Sequence, residues 1–162
     1  QGDAPVAALT KAGNALRQQG PRQSSRPSGA SAIPASWNGG AGDLAWLGSC
    51  RAWHFDGTRI RLVEALAADQ APKPAASSTP IQALGVTTPD KLSICSALLP
   101  WRRGHGVLLC SDGVLEECPE SVIRDVLADA RISAQEATEQ LLLHLLKGKA
   151  ANNLTAVLLR KV

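Results

Sequence analysis

Two short segments hold side chains whose type and placement could do chemistry. The first is residues 106–113, Gly-Val-Leu-Leu-Cys-Ser-Asp-Gly. A buried apolar strand runs straight into Asp112, so the carboxylate falls at the strand's end, where a sheet stops and a cavity can open. A carboxylate there suits a hard cation such as Mg²⁺ or Mn²⁺. Taken alone, Ser-Asp-Gly is also ordinary turn chemistry, with Gly113 permitting a backbone path that a side chain would block. The second segment is residues 148–159, in which a helix end is followed by Asn152, Asn153 and an apolar strand. Other common motifs are missing. Gly148-Lys149-Ala150 fails the phosphate-loop pattern at its third position, and there is no G-x-S-x-G elbow. The histidines His54, His105 and His144 lack ligand spacing, and His144 reads as a core or boundary residue on a mostly apolar helix face.

The elements that must position these segments follow from periodicity. Helical spacing predicts helices over 4–19, 120–130 and 133–147, with stripes of Ala8, Leu9, Ala12, Ala15 and Leu16 in the first, Val122, Ile123, Val126 and Leu127 in the second, and Ala137, Leu141, His144 and Leu145 in the third. Ser133 to Glu136 forms a capping box, and Gly148 ends that helix. Strands are expected at 31–37 (despite Pro34), 44–48, 51–55, 58–63, 92–96, 106–110 and 154–160, the last apolar enough to be central in its sheet. Residues 38–43 read as a turn, and Asp56-Gly57 as a hairpin turn. Strands come in runs instead of alternating with helices, which points to an α+β class with antiparallel pairing. Residues 67–80, rich in Ala, Pro and Ser, read as a flexible internal loop within a single domain spanning 1–162. The polar stretch 22–29 reads as a basic loop, whose Arg22 and Arg26, with Arg17 before it, could form a docking surface.

The chain has 162 residues, 44% hydrophobic and 19% charged, the balance of a globular protein and about one domain's length. Its net charge of +3 and its four Trp, one Phe and no Tyr give neither the electrostatic footprint nor the stacking surface of a nucleic-acid binder. No apolar run approaches the ~18 residues of a membrane span. No secretory signal opens the sequence, and its first residue is not Met, so the natural start is expected to lie upstream. None of Cys50, Cys95, Cys110 and Cys118 is paired as C-x-x-C; Cys95 and Cys110 read as buried free thiols, and a cytoplasmic, reducing home is expected.

Taken together, the two segments are more specific than either one. The chain resembles the metal-dependent Ser/Thr protein phosphatases of type 2C. That family has a strand ending in Leu-Cys-Ser-Asp-Gly, here Leu109 to Gly113, then two helices, then Asp-Asn-x-Thr before an apolar strand, here Asn152-Asn153-Leu154-Thr155. Its Gly-Asp-Ser-Arg corresponds to Gly48-Ser49-Cys50-Arg51, its Leu-Gly element to Leu84-Gly85, and its frequent Asp-His to Asp69-Gln70. The resemblance implies a β-sandwich flanked by helices, and metal positions at Asp112 and at residue 152, for a water polarised between two Mg or Mn ions.

The departures matter as much. Residue 152 is Asn, whose amide oxygen can ligate but brings no charge, and Ser49 stands where the family has Asp. The family's N-terminal Asp-Gly-x-Gly-Gly is not found, so the chain resembles the C-terminal two-thirds of such a domain, lacking the N-terminal strands. The resemblance therefore implies a degenerate domain, a pseudophosphatase, with Mg or Mn bound weakly or not at all. Such a domain would act by binding a phosphoprotein, a kinase or a neighbouring domain, and not nucleic acid or a membrane. Two alternatives stand beside it: an active Mg/Mn-dependent phosphatase whose N-terminal metal-binding strands lie outside this sequence, and a purely structural interaction domain.

Overall fold

Short apolar runs bounded by glycine and polar residues become strands, and each strand has to find a partner. In the computed structural model, which describes residues 4–18, 29–66, 82–148 and 151–162, they do so in two compact units. The first comprises Gln1–Ser49 and Glu64–Leu99, the second Cys50–Val63 and Pro100–Val162.

The first unit holds α1 (Ala4–Gln18), β1 (Ala35–Asn38), β2 (Ala41–Trp46) and β5 (Cys95–Pro100, whose last residue falls in the second unit), in a sheet ordered β1-β2-β5. Only Gly39 and Gly40 form the turn between β1 and β2, because Asn38 already pairs with Ala41; Gly39 takes a positive φ of 58°. Its core is Leu9, Ala45, Leu47 and Leu84, flanked by Val6, Leu92 and Ile94. Three expectations shift here. The buried stripe of α1 is Pro5, Leu9 and Gly13, not the alanines, because Gly13 lets the helix come close to Leu84. The strand expected at 31–37 begins at Ala35, preceded by a single bridge from Ala32 to Leu47, since Pro34 cannot donate to a ladder. The strand expected at 92–96 begins at Cys95, because Leu92 and Ile94 are apolar for packing against the core and not for the sheet.

The second unit holds β3 (Arg51–Phe55), β4 (Ile60–Leu62), β6 (Gly106–Cys110), α2 (Asp112–Glu117), α3 (Glu120–Ala128), α4 (Ala134–Lys147) and β7 (Ala156–Arg160). Its sheet is antiparallel throughout, in the order β4-β3-β6-β7. Trp53, Leu108, Cys110, Val114, Ile123, Leu127, Ala137, Leu141 and Leu145 make its core, the apolar stripes of α3 and α4 closing on the sheet. Ser133 caps α4 by accepting a hydrogen bond from the Glu136 amide at 3.1 Å. At the other end the Gly148 amide bonds back to the His144 and Leu145 carbonyls. His144 is exposed, contrary to the core or boundary role expected for it. Among the described residues β7 is an edge strand, not a central one: β6 lies on one side and Val157 is half exposed. Among the described residues no helix is long and apolar enough to cross a membrane. The loop 67–80, most of the basic loop 22–29, and Asp69-Gln70 lie outside the described residues.

Candidate functional site

The β6–β7 ladder decides where the two chemical segments end up. Cys110 pairs with Ala156, so the end of β6 and the start of β7 coincide, and the residues just beyond them meet at one sheet end. Ser111 ties them together. Its amide donates to the Thr155 carbonyl at 3.0 Å, its hydroxyl donates to the Asn153 carbonyl at 3.3 Å, and the same hydroxyl accepts from the Thr155 amide at 3.1 Å. Asp112 and Asn152 are thereby brought to the same place, as the sequence predicts.

Asp112 does not sit in a turn. It is the first residue of α2, a helix that the Asp-Gly pair conceals in the sequence. Its carboxylate accepts from the Gly113 amide at 2.9 Å, an acid at a helix start where free N–H groups and the dipole favour it. Gly113 is required by close approach: a Cβ there would lie 2.7 Å from the Asn153 carbonyl oxygen and 2.9 Å from the Asn152 Cβ.

α2 also brings two carboxylates to the site that the sequence reading missed, Glu116 and Glu117. Glu117 Oε1 accepts from the backbone amides of Ala151 and Asn152 at 3.0 and 3.2 Å. The Asn152 side-chain Nδ2 donates to Glu116 at 3.4 Å and to Glu117 at 3.5 Å. The signal for them was available: continuing the helix from Asp112 places an acid one turn on, at i+4. Cys50 is a second neighbour. Burial, and then the nearby Asp112 charge, push its thiol above the ordinary cysteine range, with Arg51 opposing. Cys110 lies deeper and burial pushes it up to about 12, so neither thiol is a nucleophile at neutral pH. All four cysteines are free, and Cys95, Cys110 and Cys118 are buried.

The donor set at this sheet end does not fit a two-metal centre by itself. The Asp112 carboxylate is engaged at its own helix start, the Glu116 and Glu117 carboxylates accept hydrogen bonds from Asn152, and among the described residues no three His, Cys, Asp or Glu side chains are gathered as metal ligands. Two divalent cations would find no open cluster of carboxylates among ligands arranged in this way.

With this geometry in view, comparison with solved structures places the fold among bacterial serine/threonine phosphatases. PppA, described as a key regulatory component of T6SS in Pseudomonas aeruginosa, is 24% identical with a TM-score of 0.74, over 96% of this chain and 67% of that one. The Staphylococcus aureus phosphatase Stp1 is 16% identical with a TM-score of 0.78, over 100% and 69%. The catalytic domain of PstP, solved with two manganese ions, is 19% identical with a TM-score of 0.65, over 95% and 68%. No protein-family model and no curated protein matches the sequence. At these identities the likeness is one of fold: the α+β, type-2C phosphatase-like fold runs through this chain, which spans about two thirds of its neighbours' length.

Proposed function

We propose that this chain is a degenerate domain of the type-2C phosphatase fold, a pseudophosphatase that acts by binding a phosphoprotein, a kinase or a neighbouring domain. The observation that carries the reading is the state of Asn152. Its amide is bonded as a donor to Glu116 and Glu117, and its backbone N–H is held by Glu117. An amide in that position donates to both acids where a cation would otherwise offset their charge. An aspartate there would face two carboxylates, and the arrangement would need a cation to hold together. Asp112 and Asn152 are the positions assigned to metal in this reading, with Mg or Mn as the ions and weak binding as the expectation. A regulatory role is in keeping with the description of the PppA neighbour. The free cysteines suit a cytoplasmic setting.

Titration calorimetry with Mn²⁺ on the unmodified chain and on Asn152→Asp tests the assignment. The expected result is weak binding to the first and tighter binding to the second, because the substitution adds a charged oxygen beside Asp112. Equal affinity would show that position 152 does not face a metal. Tight binding of two ions by the unmodified chain would overturn the degenerate reading in favour of an active Mg/Mn-dependent phosphatase.

A further inference from the structure

At the other end of β6 from Asp112, two histidines are buried against each other. His54 lies within β3, opposite Val107 of β6 and Arg61 of β4, and is 0% exposed; His105, just before β6, is 8% exposed. Their rings are 5.2 Å apart and tilted by 58°. His54 Nε2 is 3.2 Å from His105 Nδ1, and that same Nδ1 is 3.0 Å from the Pro100 carbonyl oxygen.

Counting protons fixes the tautomers. A carbonyl oxygen only accepts, so the bond to Pro100 requires a proton on His105 Nδ1. A neutral imidazole carries one N–H. His54 Nε2 must then be the acceptor in the ring-to-ring contact, and His54 holds its own proton on Nδ1, which is buried with no protein partner.

We propose that the chain His54–His105–Pro100 is an acid-released latch on the turn formed by residues 101–105, closed while the His54 ring is neutral. A solvent proton adds to His54 Nε2, the unprotonated nitrogen of that ring, whose lone pair accepts from His105. An N–H then faces an N–H, and the contact becomes repulsive. If His105 instead moves its proton to Nε2 to accept from His54, the Pro100 carbonyl loses its His105 donor. Either response breaks one link.

The groups facing His54 set how much acid is needed. Burial, the His105 ring and Arg61 on β4 disfavour the charged form; Asp56, after β3, and the Pro100 carbonyl favour it; the residue of β6 opposite His54 is the uncharged Val107. The balance lowers the His54 pKa to about 4. The latched turn is also bonded through its backbone. The His105 amide donates to Arg102, the Gly104 amide to Lys161, and the Lys161 amide to His105, at 3.0, 2.9 and 2.9 Å. The turn presents Arg102 and Arg103 to solvent, so the latch holds a basic surface in one conformation.

The test uses the whole chain. Imidazole ¹⁵N spectra at pH 7, with exposed His144 removed by His144→Gln to simplify assignment, should show both His54 and His105 protonated at Nδ1. Amide hydrogen exchange, corrected for intrinsic rates, should show protection at Gly104, His105 and Lys161 falling about tenfold from pH 7 to pH 4, the equivalent of one hydrogen bond, while Leu108 in β6 keeps its protection. A His54 proton on Nε2 at pH 7 would overturn the proposal. So would unchanged protection of the turn at pH 4, or an equal loss at Leu108.

Discussion

Gly113→Ala sets two effects against each other at the candidate site. Helix propensity favours the substitution, since alanine is better than glycine inside a helix by up to ~1 kcal/mol. Packing opposes it. The new methyl would lie 2.7 Å from the Asn153 carbonyl oxygen, 2.9 Å from the Asn152 Cβ and 3.3 Å from the Leu154 Cδ2. The first two distances are shorter than real Cβ contacts, and the first partner is backbone, so a side-chain rotation cannot relieve it. The Asn153 carbonyl also accepts from Ser111, which in turn accepts from the Thr155 amide, so moving it disturbs the entry into β7. Overpacking of this kind costs about 1–3 kcal/mol. The net expectation is a destabilisation of about 1–2 kcal/mol, roughly 2–8 °C in Tm for a chain of this length. Urea unfolding measures the loss. Amide exchange at Ala151 and Asn152 should rise with it, because the Glu117 clamp on those amides is displaced. A variant as stable as the parent, with both amides still protected, would refute the close approach of α2 to the 151–154 segment.

Other outcomes follow from single contacts. Ser133→Ala removes the cap of α4 and should cost about 1 kcal/mol in urea unfolding. Arg160→Met should cost about 2–3 kcal/mol by the same measurement, because the guanidinium donates to the Ile132 carbonyl at 2.6 Å and to the Val126 carbonyl, joining β7 to α3 and to the α3–α4 connection. For His54 the folded pKa of about 4 lies below the ordinary value of 6.5. Its contribution to stability is therefore complete above pH 6.5 and is lost as pH falls through 6.5 toward 4. It amounts to about 3 kcal/mol at ~1.4 kcal/mol per pKa unit, and unfolding midpoints measured between pH 7 and pH 4 should fall accordingly.

Much of the sheet was legible because short apolar runs were punctuated clearly. Arg51–Phe55 and Gly106–Cys110 lie where the pattern puts them, and the antiparallel register brings Asp112 and Asn152 together as the motif order implies. The misreadings have a common cause, since each depends on a tertiary contact that one-dimensional periodicity cannot express. Gly113 reads as a turn residue, but it is a helical glycine kept small by Asn152 and Asn153, and with α2 hidden its acids Glu116 and Glu117 were hidden too. The residues of β7 are apolar enough for a central strand, yet among the described residues β7 pairs with β6 alone, and α4 packs against it. The His54–His105 pair has no sequence spacing to announce it, because strand pairing, not a local motif, brings residues 51 positions apart into contact.

The most direct test of the central claim is turnover. The unmodified chain, incubated with a generic aryl phosphate and millimolar Mn²⁺, should release phosphate no faster than the metal-containing buffer alone, and Asn152→Asp should not restore activity. Robust Mn²⁺-dependent hydrolysis by the unmodified chain, abolished by Asp112→Asn, would contradict the account: the site would then be a working phosphatase centre despite its neutral residue at 152.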